Sequence, residues 1–180
     1  MTILHIDSSI TGESSVSRVL TASIIDKLGA AAPDAHIVRR DLAREPLAHL
    51  TLDAFADTSV LDEFVAADTV VIGAPMYNFA LASQLKAWLD RILVAGTTFR
   101  YTANGPEGLA GGKRVIVAVS RGGFYEEGAA MEHVESYLRG VFGFIGITPE
   151  FVHADGIAVG PEQREAGIAN GLGEVERLAA

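Results

Sequence analysis

Thr69-Val70-Val71-Ile72-Gly73 is β-branched and carries no charge. A run of that kind suits a strand buried in a sheet that is covered on both sides. Arg114-Val115-Ile116-Val117-Ala118-Val119 repeats the pattern, and shorter versions stand at Ile3-Leu4-His5-Ile6, Ala35 to Val38 and Pro149 to Val152. Between these runs the apolar spacing becomes helical. Leu20, Ile24 and Leu28 share one face, and Leu85, Leu89 and Ile92 share another. Val60 to Ala67 and Met131 to Phe144 read as further helices, and Glu162 to Leu178 as a polar helix interrupted by glycines. Ala43 to Ser59 reads as loop or short helix, and Thr97 to Leu109 as a long connection. Strands alternating with helices imply right-handed crossovers and a three-layer α/β architecture, a parallel sheet with helices on both faces. At 180 residues, with no internal repeat and no linker, a single domain over 1–180 is expected.

Three polar segments follow three of the strands. In an open parallel sheet such loops meet at the carboxyl edge, where ligands bind. The first is Ser8-Ser9-Ile10-Thr11-Gly12-Glu13-Ser14-Ser15-Val16-Ser17. Ser15 and Ser17 stand where the first helix begins, and free N–H groups and the positive helix end favour an anion there. A serine N-cap without any ligand gives the same pattern. The second segment, Pro75-Met76-Tyr77-Asn78-Phe79, offers polarizable and aromatic surface and one amide. Aromatics that merely cap the core are the alternative. The third, Ser120-Arg121-Gly122-Gly123, permits close backbone approach, so its N–H groups are able to meet the carbonyls of a flat heterocycle. A plain tight turn is the alternative, and Arg121 reads either as a surface charge or as a backbone contact. A phosphate pocket, an aromatic wall and a glycine platform together suit flavin mononucleotide (FMN).

Competing chemistries fail on missing residues. No G-x-G-x-x-G follows the first strand and no G-K-[ST] is present, which removes the dinucleotide and triphosphate fingerprints. The absence of cysteine removes disulfides, thiolate nucleophiles and the cysteine-dependent phosphatases. His5, His36, His49, His133 and His153 lack metal-ligand spacing, so no metal is expected. There is no nucleophile elbow G-x-S-x-G. Asp7 ends the first strand, but the third ends in Gly73-Ala74-Pro75 without an aspartate, so a phosphoacceptor pocket is incomplete and Asp7 reads as structural. A net charge of −9 argues against nucleic acid. No apolar run approaches the ~20 residues of a membrane span, and no basic and apolar leader stands first, so a cytoplasmic protein is expected. Charged residues make up only 21%, which is compatible with a second subunit covering part of the surface.

At these residues the chain resembles the FMN-dependent NADH-azoreductase family, whose members also act as quinone reductases. The resemblance covers essentially the whole chain. It is strongest at Ala74 to Phe79, Thr97 to Thr102 with Asn104 to Leu109, Ser120 to Gly123, and Gly143 to Ile147. It implies a flavodoxin-like fold with a five-stranded parallel sheet in the order 2-1-3-4-5, and a homodimer with one FMN per subunit. It places FMN contacts at Ser9, Ser15, Val16, Ser17, Met76, Tyr77, Asn78, Phe79, Ser120, Arg121, Gly122 and Gly123. Tyr101 and Phe144 match substrate-side aromatics that border the flavin face, partly across the dimer. The expected reaction takes hydride from NADH or NADPH and delivers it to a quinone or azo compound in a ping-pong scheme. No side chain is assigned as catalytic, because the flavin carries the chemistry. Two other readings are an electron carrier without turnover and an α/β domain without a ligand. The segment Thr97 to Leu109 and Phe144 argue against the carrier, since they suggest an enclosed substrate face. One departure stands out: the stretch between Asp41 and Val60 is shorter than is usual in the family, where it helps to wall the substrate channel.

Overall fold

Side chains along Thr2–Asp7 (β1) alternate between two apolar layers. Leu4 and Ile6 enter one, and Ile3 enters the other. The computed structural model describes residues 1–126 and 128–179. After β1 come α1 (Val16–Ala31), β2 (His36–Asp41), α2 (Leu52–Phe55), α3 (Ser59–Ala66), β3 (Thr69–Tyr77), β4 (Ala80–Leu81) and α4 (Ser83–Ile92). A hairpin of β5 (Phe99–Thr102) and β6 (Gly105–Gly108) follows, then β7 (Arg114–Ser120), α5 (Glu135–Phe144), β8 (Glu150–Ala154) and α6 (Pro161–Arg177).

The parallel strands lie in the order β2-β1-β3-β7-β8. On one face Val70, Ile72, Val117 and Val119 pack under α3, α4 and α5 through Phe64, Trp88, Leu89, Leu138 and Phe142. On the other, Ile3, Val71, Ile116 and Val152 pack under α1 and α6 through Leu20, Ile24 and Val175. The period of two in the strands thus feeds two helical layers.

The structure corrects the expected five-stranded sheet to six strands. β4 pairs antiparallel with β3, Met76 opposite Leu81 and Tyr77 opposite Ala80. Asn78 and Phe79 form the two-residue connection with φ of +48° and +70°, the pair of positive values that a type I′ hairpin turn needs. Phenylalanine is a poor residue for that region, and holding it there costs about 1–3 kcal/mol. The Phe79 carbonyl is held by the His133 N–H at 3.1 Å.

Three other expectations change. The second strand runs on to Asp41, because β2 follows β1 in register from Thr2 opposite His36 to Asp7 opposite Asp41. The helix expected from Met131 begins at Glu135, where the Glu132 carboxylate accepts N–H bonds from Val134 and Glu135 at 3.0 and 2.9 Å. The last helix is not interrupted by its glycines. A Cβ on Gly171 would lie 2.9 Å from Leu20 Cδ2 and 3.0 Å from the His153 carbonyl oxygen, so a bare position there lets α6 lie against β8 and α1.

Candidate functional site

From β1 the chain crosses to β2 on one side of the sheet, then returns to β3 on the other. The loops at the carboxyl ends of β1 and β3 therefore diverge, and a crevice opens between them. A cleft of about 610 Å³ lies at this edge, within the size range of cofactor sites. Its lining comes from all three polar segments, through Ser9, Ser15, Val16, Met76, Tyr77, Ser120, Arg121 and Gly122, together with Thr11, Ser14 and Pro75.

The first loop is braced from within. Ser8 Oγ donates to the Gly73 carbonyl at 2.7 Å, and the Arg18 guanidinium donates to the Ser9 carbonyl at 3.0 Å. Arg18 also forks onto both Asp41 carboxylate oxygens at 2.7 and 2.8 Å. That contact and the Ala43 and Arg44 N–H groups hold the Asp41 carboxyl below the usual carboxylate range, and Asp41 raises Arg18 in turn. Asp7 accepts from Thr21 Oγ1 at 3.0 Å and lies 3.3 Å from His5 Nε2, which is the structural role read from the sequence.

Ser15 is the N-cap of α1, accepting the Arg18 N–H at 3.3 Å, and its hydroxyl lies 3.1 Å from Ser17 Oγ. Such a cap contributes about 1 kcal/mol with or without a ligand. The N–H groups of Val16 and Ser17 have no partner among the described residues, so the first turn of α1 keeps donors for an anion.

Across the cleft, Tyr77 Oη is hydrogen-bonded to Ser9 Oγ at 3.0 Å and takes the Ile10 N–H at 3.2 Å. This joins the aromatic wall to the first loop. The third loop is laced to the one after β8: Ile157 N–H bonds the Arg121 carbonyl, and Ala158 N–H bonds that of Gly122, at 3.1 and 3.0 Å. The Arg121 side chain is buried and forks onto Asp155 at 2.6 and 2.8 Å, so among the two readings of this arginine a surface charge is excluded.

Not every expected site residue reaches the cleft. Ser17 is fully buried behind Ser15. Asn78 lines a neighbouring depression with Ile10 and Ser83, Phe79 stands 44% exposed at the hairpin tip, and Gly123 lies under the Tyr125 ring. Tyr101 and Phe144 are elsewhere. Both pack on Phe99, with ring centroids 5.5 and 4.6 Å apart, and Tyr101 is 75% exposed. Conversely, Ile157, Ala158 and Arg164 line the cleft although no motif pointed to them. The strand order was the available signal, because the loop after β8 ends at the same edge. Among the described residues no cluster of His, Asp or Glu has the makings of a metal site, and no helix is long and apolar enough to cross a membrane.

Comparison with known proteins bears on this geometry. A family model described as a flavodoxin-like fold matches residues 1–179. A curated relative from Bradyrhizobium diazoefficiens, FMN-dependent NADH:quinone oxidoreductase 2, is 56% identical over 201 aligned positions covering all of both chains. One from Methylorubrum populi, FMN-dependent NADH:quinone oxidoreductase, is 54% identical over 202 positions, again covering all of both chains. A crystal structure of an FMN-dependent NADH-azoreductase from Bacillus anthracis in complex with FMN superposes with a TM-score of 0.85 at 25% identity, covering all of both chains. Aligning 201 positions with 180 residues leaves at least 21 positions of the Bradyrhizobium relative unmatched by this chain.

Proposed function

The chain belongs to the flavodoxin-like family of FMN-dependent NADH:quinone oxidoreductases, and from that premise we propose that it passes hydride from NADH, by way of bound FMN, to quinones. The observation that carries the reading is the meeting of three separate loops at one cleft, with the open first turn of α1 at one end.

The donor set suits FMN. Ser9, Ser15 and Val16, which line the cleft, are assigned to its phosphate through hydroxyls and the open helix start, with Ser17 behind them against the Ser15 hydroxyl. Met76 and Tyr77 are assigned to the wall along the ring, with Asn78 and Phe79 at its rim. Ser120, Arg121, Gly122 and Gly123 are assigned to the ring edge. Arg121 acts there through its backbone, since its side chain is engaged by Asp155. No backbone bond engages the Gly122 or Gly123 N–H among the described residues, and that of Gly122, which lines the cleft, is left to face negative charge on the cofactor. When bound, FMN supplies the two-electron chemistry. The protein holds and orients, and among the described residues no histidine or carboxylate lines the cleft to act as acid or base, so product protons come from water.

Finer features complete the proposal. Donor and acceptor use one site in turn, a ping-pong scheme, and azo compounds are cleaved in two such rounds. NADPH is the alternative donor. The active form is a cytoplasmic homodimer, in which Tyr101 and Phe144 border a cleft partly from the neighbouring copy. In support, Tyr101 is exposed and stands outside its own cleft. The short stretch between Asp41 and Val60 opens the substrate side, so the range of acceptors differs from that of longer relatives.

Steady-state oxidation of NADH by the FMN-loaded protein with a simple quinone tests the reading. Turnover with parallel double-reciprocal lines is expected. A yellow protein without turnover would make it an electron carrier, and a colourless one unchanged by FMN would end the flavin reading. The solution mass decides the dimer.

A further inference from the structure

We infer that Arg164, which belongs to no motif in the sequence, is the cationic partner of the cofactor phosphate, an inference that rests on the FMN reading above. Among the described residues, the cleft is lined by two arginines and by no carboxylate. Arg121 is neutralised by its fork onto Asp155. Arg18, next to the first loop, is taken up by Asp41 and does not line the cleft. Arg164 pairs with no carboxylate among the described residues. Among the described residues, its charge is the one at the cleft that no carboxylate answers.

Its position is specific. Arg164 Nη2 donates to the Ser14 carbonyl at 2.8 Å. Ser14 immediately precedes Ser15, the cap of α1, so the guanidinium lies at the end of the cleft where the free N–H of Val16 and the start of α1 stand. The residue is fixed in the first turn of α6 by its own N–H bond to the Gly160 carbonyl at 2.9 Å. A guanidinium carries five N–H donors in a planar fork, and the bond to Ser14 leaves the others for an oxyanion.

The charge balance calls for such a group. The chain carries a formal −9, so a phosphate approaches against a repulsive background. The start of α1 offers only about half an elementary charge, screened by water. A full cation beside it makes charge-assisted bonds that neutral serines do not. The α6 arginine thus closes the phosphate pocket beside the start of α1, using a residue 150 positions from the Ser14 carbonyl it grips.

The competing role is a brace that only holds the Ser14 carbonyl. Arg164→Gln keeps an N–H donor but removes the charge, whereas Arg164→Lys keeps both a donor and the charge. FMN and riboflavin, which lacks the phosphate, are titrated into wild type and both variants by flavin fluorescence at two ionic strengths. For Arg164→Gln the expected result is FMN affinity weakened about tenfold or more, riboflavin affinity unchanged, and partial recovery in Arg164→Lys. Added salt should weaken FMN binding more in the wild type than in Arg164→Gln. Wild type that binds FMN while Arg164→Gln binds it within about twofold, or an equal loss for both flavins, overturns this inference alone. Wild type that binds neither flavin overturns the FMN reading and this inference together.

Discussion

Replacing Gly167 with alanine should destabilise the protein, although it sits inside a helix where alanine is ordinarily the better residue. Gly167 is buried in α6, and a Cβ there would overlap the Asp155 carbonyl oxygen and lie 3.1 Å from Ile157 Cδ1. Helix propensity alone favours alanine by about 1 kcal/mol. Against it stands a backbone oxygen just beyond β8, in a residue whose carboxylate is gripped by Arg121. The clash is relieved only if α6 lifts from the sheet, loosening Val175 and Ile168 from the layer they share with Leu20. Overpacking of this kind costs about 1–3 kcal/mol, so the expected net result is a loss of up to about 2 kcal/mol. Urea unfolding measures it. Gly140→Ala in α5, where a Cβ meets nothing within 4 Å, is the control and should gain up to about 1 kcal/mol. If Gly167→Ala proves as stabilising as Gly140→Ala, the close approach of α6 is wrong. FMN affinity should fall alongside stability in Gly167→Ala, because Ile157 and Arg164 both line the cleft.

Gly122→Val should weaken FMN binding about tenfold or more, since even its Cβ stands 3.3 Å from Ala158 Cβ at the cleft wall; unchanged affinity by fluorescence titration would contradict the placement of this loop. Tyr101→Ala should change KM for the quinone several-fold and leave FMN affinity alone; a change confined to FMN affinity would move Tyr101 into the cofactor site. Arg18 holds the Asp41 carboxyl below its ordinary range in the folded protein, so the stability it contributes is fully present above about pH 4 and is lost as pH falls through the lower folded value. Unfolding free energies measured from pH 6 to pH 2 should therefore fall more steeply for wild type than for Asp41→Asn, and parallel curves would remove Asp41 from the acid transition.

Local pattern made much of this molecule legible. The interiors of β3 and β7 declare themselves through uninterrupted β-branched residues, and the start of α1 through Ser15 before Leu20 and Ile24. The edge of the sheet follows, because parallel strands bring their carboxyl ends together. What escaped depends on contacts remote in sequence or on geometry that composition does not announce. Asn78-Phe79 does not look like a hairpin turn, since phenylalanine is seldom found at φ of +70°, so β4 was missed. The glycines of α6 read as breaks because their cause, the backbone of His153 and Asp155, arrives only when the helix docks. Arg164 and Ser14 carry no common pattern, and only the fold sets them 2.8 Å apart. Tyr101 and Phe144 meet on Phe99 away from the cleft, because the β5–β6 hairpin packs on the end of α5, a contact that no motif announces.

The cleft draws on Ser9 at one extreme and Arg164 at the other. It therefore has a history as well as a shape. During synthesis the serine loop emerges early, but its far wall waits for β8 and the first turn of α6. A nascent chain that has made only β1 to β7 owns a half-built site and has little hold on a flavin. Ligand capture then comes late and reports that the last layer has docked. Whatever binds the finished cleft stabilises the entire sheet order by mass action, about 2.7 kcal/mol at a hundredfold excess over Kd. Cofactor supply in the cell would thus set how long newly made copies survive proteolysis, before any of them turns over a substrate.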